Sequence, residues 1–224
     1  MNNTDYSNQV FISCQQLFHE AIEYGLEFVK KQSHKAYHEI NPQRIACCAN
    51  SRYLHRGFYC PSPVFDKVLV NSRRGKILPN YRKTIQLTHR YFYNQDDKIY
   101  LIEYFSNGAT EAYEYIVERQ NKRFGFIIDD FGVLRHISIE EYHQGKIITY
   151  MHARCYLSTD DIYQSLNMHH EQYYYDPQQK LTNFDLNLIF LDEEEYKKLG
   201  NAISLIDHYN YRVIYEGDQI IGVT

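Results

Sequence analysis

Two histidines, His34 and His38, stand four residues apart in a stretch that reads as helix. That spacing projects both imidazoles from one helix face, which is a metal-ligand arrangement. Cys47, Cys48 or Cys60 could complete a tetrahedral zinc site, although the chain has neither a His-Glu-x-x-His nor a Cys-x-x-Cys run. The plainer account is that two histidines in a last helical turn sit favourably at the negative end of the helix dipole. His169-His170-Glu171 opens a strand, where neighbouring side chains point to opposite faces and chelate one ion poorly. It reads as structural or surface-exposed. Acidic doublets occur at Asp96-Asp97, Asp129-Asp130, Glu140-Glu141 and Asp160-Asp161, with a triplet at Glu193–Glu195. Paired carboxylates can do acid–base work or hold Mg²⁺. Most of these fall in turns or at helix starts, where backbone geometry already favours them. Only Glu140-Glu141 lies in or at the end of a strand. Phosphate-cradling glycine loops and nucleophile elbows are missing from the sequence, and no cofactor is expected.

The strongest nucleic-acid candidate is Arg73-Arg74-Gly75-Lys76, flanked by Arg52, Arg56, Lys67, Arg82, Lys83 and Arg90. Tyr53, Phe58, Tyr59 and Tyr81 interleave it as base-stacking platforms would. Charge distribution argues against this use. Residues 52–90 carry nine basic and one acidic residue, whereas residues 91–224 carry 11 basic and 22 acidic. Such an acidic body repels phosphates. The net charge of −4 hides that asymmetry. It either steers a partner or is neutralised when the basic segment packs beside the acidic strands.

The elements that must position these residues follow from hydrophobic period. Over residues 7–38 the apolar positions recur at spacings of three and four, which predicts one long amphipathic helix ended by Asn41-Pro42. Gly25 in that helix is placed for a close approach to a sheet. A short helix near 44–54 and a strand near 64–70 are expected in the intervening segment. From residue 83 the period changes to two, with strands at 84–93, 98–105, 110–118, 123–128, 133–142 and 146–156. Turns as short as Ser106-Asn107-Gly108 force antiparallel neighbours. Strands at 171–176, 181–190, 210–215 and 219–223 continue the meander, with helices near 160–167 and 193–208. The result is a single α+β domain over residues 1–224, with a helical region at 1–42 and an antiparallel sheet over 83–224. One or two further helices pack on that sheet.

Composition adds context. There are 23 Tyr, 12 Phe and no Trp, which suits half-buried strands with hydroxyls at the rim. Five unevenly spaced cysteines read as reduced thiols. The N-terminus has no basic and apolar leader, and no run spans a bilayer, so a cytoplasmic protein without membrane attachment is expected.

The Tyr-rich strands and short polar turns of Arg90–Glu103 and Gln172–Phe190 resemble the immunity proteins of bacterial polymorphic and contact-dependent toxin systems. The resemblance covers residues 83–224 and is compositional, so no family residue is carried over. It implies neutralisation of a cognate toxin by tight binding in the cytosol. A basic nuclease domain as partner would associate faster with the acidic sheet. Partner anchors are expected on exposed faces at Glu114, Glu118, Glu140 and Asp185, beside nearby tyrosines. Two alternatives remain open. One is a metal-dependent hydrolase or nuclease built on His34, His38 and sheet carboxylates. The other is an RNA-binding module using Arg73, Arg74 and Lys76.

Overall fold

The computed structural model describes residues 3–31, 33–52, 55–68, 72–79, 86–129, 131–157, 163–164, 167–190 and 205–224. Helix α1 (Asn3–Lys30) is followed by α2 (Ser33–Glu39). The expected single helix over 7–38 is thus two helices. The α1 stripe of Cys14, Phe18, Ala21, Ile22 and Phe28 is buried, as its period requires.

Among the described residues one antiparallel sheet of twelve strands receives α1. In chain order its strands are β1 (Arg44–Ala49), β2 (Lys76–Leu78), β3 (Leu87–Tyr93), β4 (Ile99–Ser106), β5 (Ala109–Arg119) and β6 (Lys122–Ile128). They continue with β7 (Leu134–His143) and β8 (Lys146–Arg154), then, after the two-residue pair β9 (Tyr156–Leu157) and β10 (Tyr163–Gln164), with β11 (Asn167–Tyr175), β12 (Leu181–Phe190), β13 (Leu205–Glu216) and β14 (Gln219–Val223). Spatial order is β14-β13-β12-β11-β8-β7-β6-β5-β4-β3-β1-β2, a meander with the β1–β2 unit added at one end. The α+β, mainly antiparallel architecture read from the sequence is the observed one. Among the described residues no helix is long and apolar enough to cross a membrane.

Face one of the sheet packs under α1. Phe124, Phe126, Ile137, Ile139 and Met151 are at most 1 % exposed there. Burial of each such side chain stabilises by about 1.5–3 kcal/mol. Gly25 permits the close approach: a Cβ on it would stand 2.9 Å from Leu134 Cδ1.

Four local expectations are corrected. Residues 44–49 are strand β1, held between β2 and β3, where a helix near 44–54 was expected. Phe65–Val68 is a helical turn, α3, where a strand over 64–70 was expected, because Ser62 Oγ accepts from the Val64 and Phe65 amides and caps the turn. Tyr163–Gln164 is extended and Asn167 already begins β11, where a helix near 160–167 was expected; residues 158–162, 165 and 166 lie outside the described set. The expected helix near 193–208 falls largely on residues 191–204, also outside it. Residues 205–208 are strand, because β12 pairs along its length from Asn183↔Arg212 to Phe190↔Leu205.

Candidate functional site

Face two of the sheet, opposite α1, is polar at its centre. Register explains why. In antiparallel strands, paired residues share a face. One row across the sheet runs Glu114, Ile127, His136 and Arg154. The next runs Ile116, Gly125, Ser138, His152, His169 and Leu188. A third runs Glu118, Arg123, Glu140, Tyr150, Glu171 and Leu186. Buried chemistry is thus gathered from residues two apart on successive strands.

The segment between β1 and β2 lies over this face and lowers Arg56 into it. Arg56 (φ 60°) and Gly57 (φ 59°) both adopt the left-handed region. A Cβ on Gly57 would come 2.6 Å from His89 Nδ1, so only glycine fits there. Arg56 is 3 % exposed. Its Nε donates to Glu114 Oε1 (2.8 Å), its Nη2 to Ser138 Oγ (2.7 Å) and its Nη1 to Glu140. Glu114 also accepts from His55 Nε2 (3.0 Å) and from the Tyr104 hydroxyl (2.5 Å). Burial alone would raise the Glu114 carboxyl, yet the Arg56 charge and His55 hold it well below the usual range. Burial likewise opposes the Arg56 charge, and Glu114 with Glu140 overcomes it, leaving Arg56 firmly protonated.

Gly125 makes this possible. A Cβ at that position would collide with Glu114 Oε1, Arg56 Nη2 and Ser138 Oγ. Gly125→Ala is expected to lower stability by about 1–3 kcal/mol through overpacking. Urea denaturation measures it, and an unchanged midpoint would show that the guanidinium can move aside.

A second acidic centre lies further along the third row. Glu171, fully buried, accepts from Ser62 Oγ (2.6 Å), His169 Nε2 (2.5 Å) and the Tyr173 hydroxyl. Between the two carboxylates run closely packed imidazole rings. The His55 and His136 centroids are 4.7 Å apart, His55 and His152 5.3 Å, and His152 and His169 4.8 Å. His136 Nε2 and His152 Nδ1 share a hydrogen bond of 3.2 Å. Burial pushes His136 down to about 3 and His152 well below the ordinary imidazole value, so both are neutral at pH 7. These histidines line a cavity of about 640 Å³ that also touches Ile127, Leu188 and Phe190.

The residues singled out in the sequence fare unevenly. Glu114 and Glu140, expected on exposed faces, are buried by Arg56, and Asp185 is 8 % exposed. Glu118 is exposed and pairs with Lys98 and Arg123. His38 Nε2 meets the Tyr115 hydroxyl at 2.8 Å, and the His34 ring packs against the same tyrosine. Among the described residues no group of three or more His, Cys, Asp or Glu side chains is placed to hold a metal ion. All five cysteines are free thiols. Arg74 braces the covering segment through Asp66 (2.9 Å), the Cys60 carbonyl (2.7 Å) and the Ser62 carbonyl, and Arg73 Nε donates to the Asn50 carbonyl (2.8 Å). Lys76 is exposed on β2. His169-His170-Glu171 is buried rather than surface-exposed. Tyr91 and Tyr150 are buried with their hydroxyls bonded inward, to the Arg56 carbonyl and to His55 Nδ1.

Sequence reasoning missed His55 as a site residue, and with it Ser138, His136 and His152, and it set His169 aside as structural or surface-exposed. Their signal was present as polar residues at period two inside apolar strands: His136-x-Ser138-x-Glu140, Tyr150-x-His152 and His169-x-Glu171-x-Tyr173. No protein-family model and no curated protein matches this chain.

Proposed function

We propose that this chain is a protein-binding module of the toxin-immunity type, which neutralises a cognate toxin domain by tight association in the cytosol. The observation that carries the reading is the reach of the sheet past its helix. Helix α1 lies over β7 and β8, while β11 to β14 extend beyond it. On the α1 side of those strands Tyr174, Asn183 and Arg212 stand in one row, and Gln172, Asp185 and Asn210 in the next. Asp185 accepts from the Tyr174 hydroxyl (2.8 Å) and from Asn210 Nδ2 (2.6 Å), which fixes both donors in place. Tyr174 is 41 % exposed and Ile214, next on the same side of β13 as Arg212, is 37 % exposed. A groove of about 510 Å³ runs beside Asn183, Asn210 and Arg212. Rigid tyrosine, amide and arginine groups with exposed aliphatics are the composition of protein recognition surfaces.

Internal neutralisation also supports binding through this face. Arg56 engages Glu114 and Glu140, and Arg90 pairs with Glu103 at 2.8 Å. The basic segment therefore serves the protein's own acidic strands. Glu216 and Asp218, exposed at the β13–β14 tip, leave negative charge beside the groove for a basic partner.

The test is affinity capture by the tagged protein from its native lysate at low and high salt, followed by titration of the captured partner. One stoichiometric basic protein is expected. Tyr174→Ala combined with Ile214→Lys should weaken its binding at least about 100-fold with thermal stability kept. Undiminished affinity in that variant, or capture of RNA or metal without a protein, would sink this reading.

A further inference from the structure

We infer that the histidine-lined cavity on face two is a binding site for a small hydroxylated aromatic carboxylate. The inference does not depend on the partner surface, which lies on the other face of the sheet.

Proton positions define the head group. Glu171 receives three donors, so it is the acceptor of His169 Nε2–H. A neutral His169 bonded in this way would present its Nδ1 lone pair toward the cavity. His136 and His152 are both neutral and share one hydrogen bond, and His136 Nδ1 is buried with no partner. A buried orphan donor is costlier than an under-used acceptor, so His136 carries its proton on Nε2 and gives it to His152 Nδ1. His152 Nε2–H is left as a donor. The cavity floor thus offers one acceptor and one donor on rings whose centroids are 4.8 Å apart. A hydroxyl, which donates once and accepts once, satisfies both. A carboxylate head would meet the His169 lone pair, and an ammonium head would meet the His152 N–H.

Walls and mouth define the rest. Ile127 and Leu188 stand in register beside His136 and His169, and Phe190 lies further along β12, giving an apolar wall for a flat body. At the mouth Glu111 stands on β5 and Arg154 on β8, both exposed. Arg135 also borders the cavity, but its guanidinium is held by Asp129 at 2.6 Å. Arg154 enters no ion pair among the described residues. An anionic group is therefore repelled on the β5 side and drawn to Arg154. The volume of about 640 Å³ admits a body of two fused rings.

The probe is 7-hydroxycoumarin-3-carboxylate, followed by fluorescence anisotropy with the full chain. Saturable one-to-one binding with a Kd below about 100 μM is expected. Its 7-methoxy analogue, which cannot donate, should bind at least about tenfold more weakly. Arg154→Gln, an exposed position that leaves the core intact, should weaken the acid about tenfold and leave unsubstituted 7-hydroxycoumarin unaffected. No saturable binding up to about 1 mM, equal affinity for the methoxy analogue, or indifference of the acid to Arg154→Gln would each overturn the proposal.

Discussion

Arg56→Met is expected to destabilise the protein by about 3–5 kcal/mol, the largest effect of any single substitution on face two. The guanidinium is 3 % exposed and bonds Glu114, Glu140 and Ser138 at once. Its removal leaves Glu114 without an arginine and Glu140 with Arg123 alone, 3.6 Å away, and both acids are at most 1 % exposed. Lysine cannot substitute, because one ammonium does not reproduce three donors in a fixed fork. Neutralising the acids together with the arginine, as Arg56→Met with Glu114→Gln and Glu140→Gln, should recover much of the loss, since an uncharged centre has no buried charge to desolvate. Urea midpoints of the wild type, Arg56→Met and the triple variant decide the matter. A loss under about 1 kcal/mol for Arg56→Met would mean that water reaches the two carboxylates.

Acid should unfold the protein well above the range in which carboxylates protonate. Burial lowers His89 and His170 to about 4 and His136 to about 3. An unfolded chain takes up these protons near pH 6.5, whereas the folded chain excludes them. The stability these neutral rings contribute is complete above about pH 6.5 and is lost as pH falls toward their folded values. At pH 5 the loss is about 2 kcal/mol for each of the three, comparable together with the whole stability of an ordinary domain. Glu114, held low by Arg56 and His55, adds to the loss only below its unfolded value of about 4.5. Thermal midpoints by circular dichroism at pH 7 and pH 5 provide the check. A difference of only a degree or two would show that these imidazoles are protonated in the folded protein.

The meander was legible because its evidence is local. Alternation placed β5 to β8, and short turns such as Asn107-Gly108 fixed their antiparallel order. The 181–190 and 219–223 strands were delimited to the residue. Where the reading failed, a non-local partner had overridden local pattern. Arg44–Ala49 is strand only because β2 and β3 flank it. Ser62 closes a helical turn around Phe65 while its hydroxyl is anchored on Glu171, 109 residues away. The site was hidden for a related reason. Glu114 looked like a solvent-facing residue of a half-polar strand, and nothing near it in sequence reveals that Arg56 will cover it. Sheet polarity was visible; the lid that turns it into an interior was not.

The distances along the chain that separate Arg56 from its partners have a consequence for synthesis. Glu114 follows Arg56 by 58 residues and Glu140 follows it by 84. During translation the arginine leaves the ribosome long before either acid exists, and the hairpins that present those acids form from neighbouring residues as each pair of strands is completed. The covering segment can therefore close over its partners only after β7 has been made. Closure of this interior requires that the central strands have paired in the correct register.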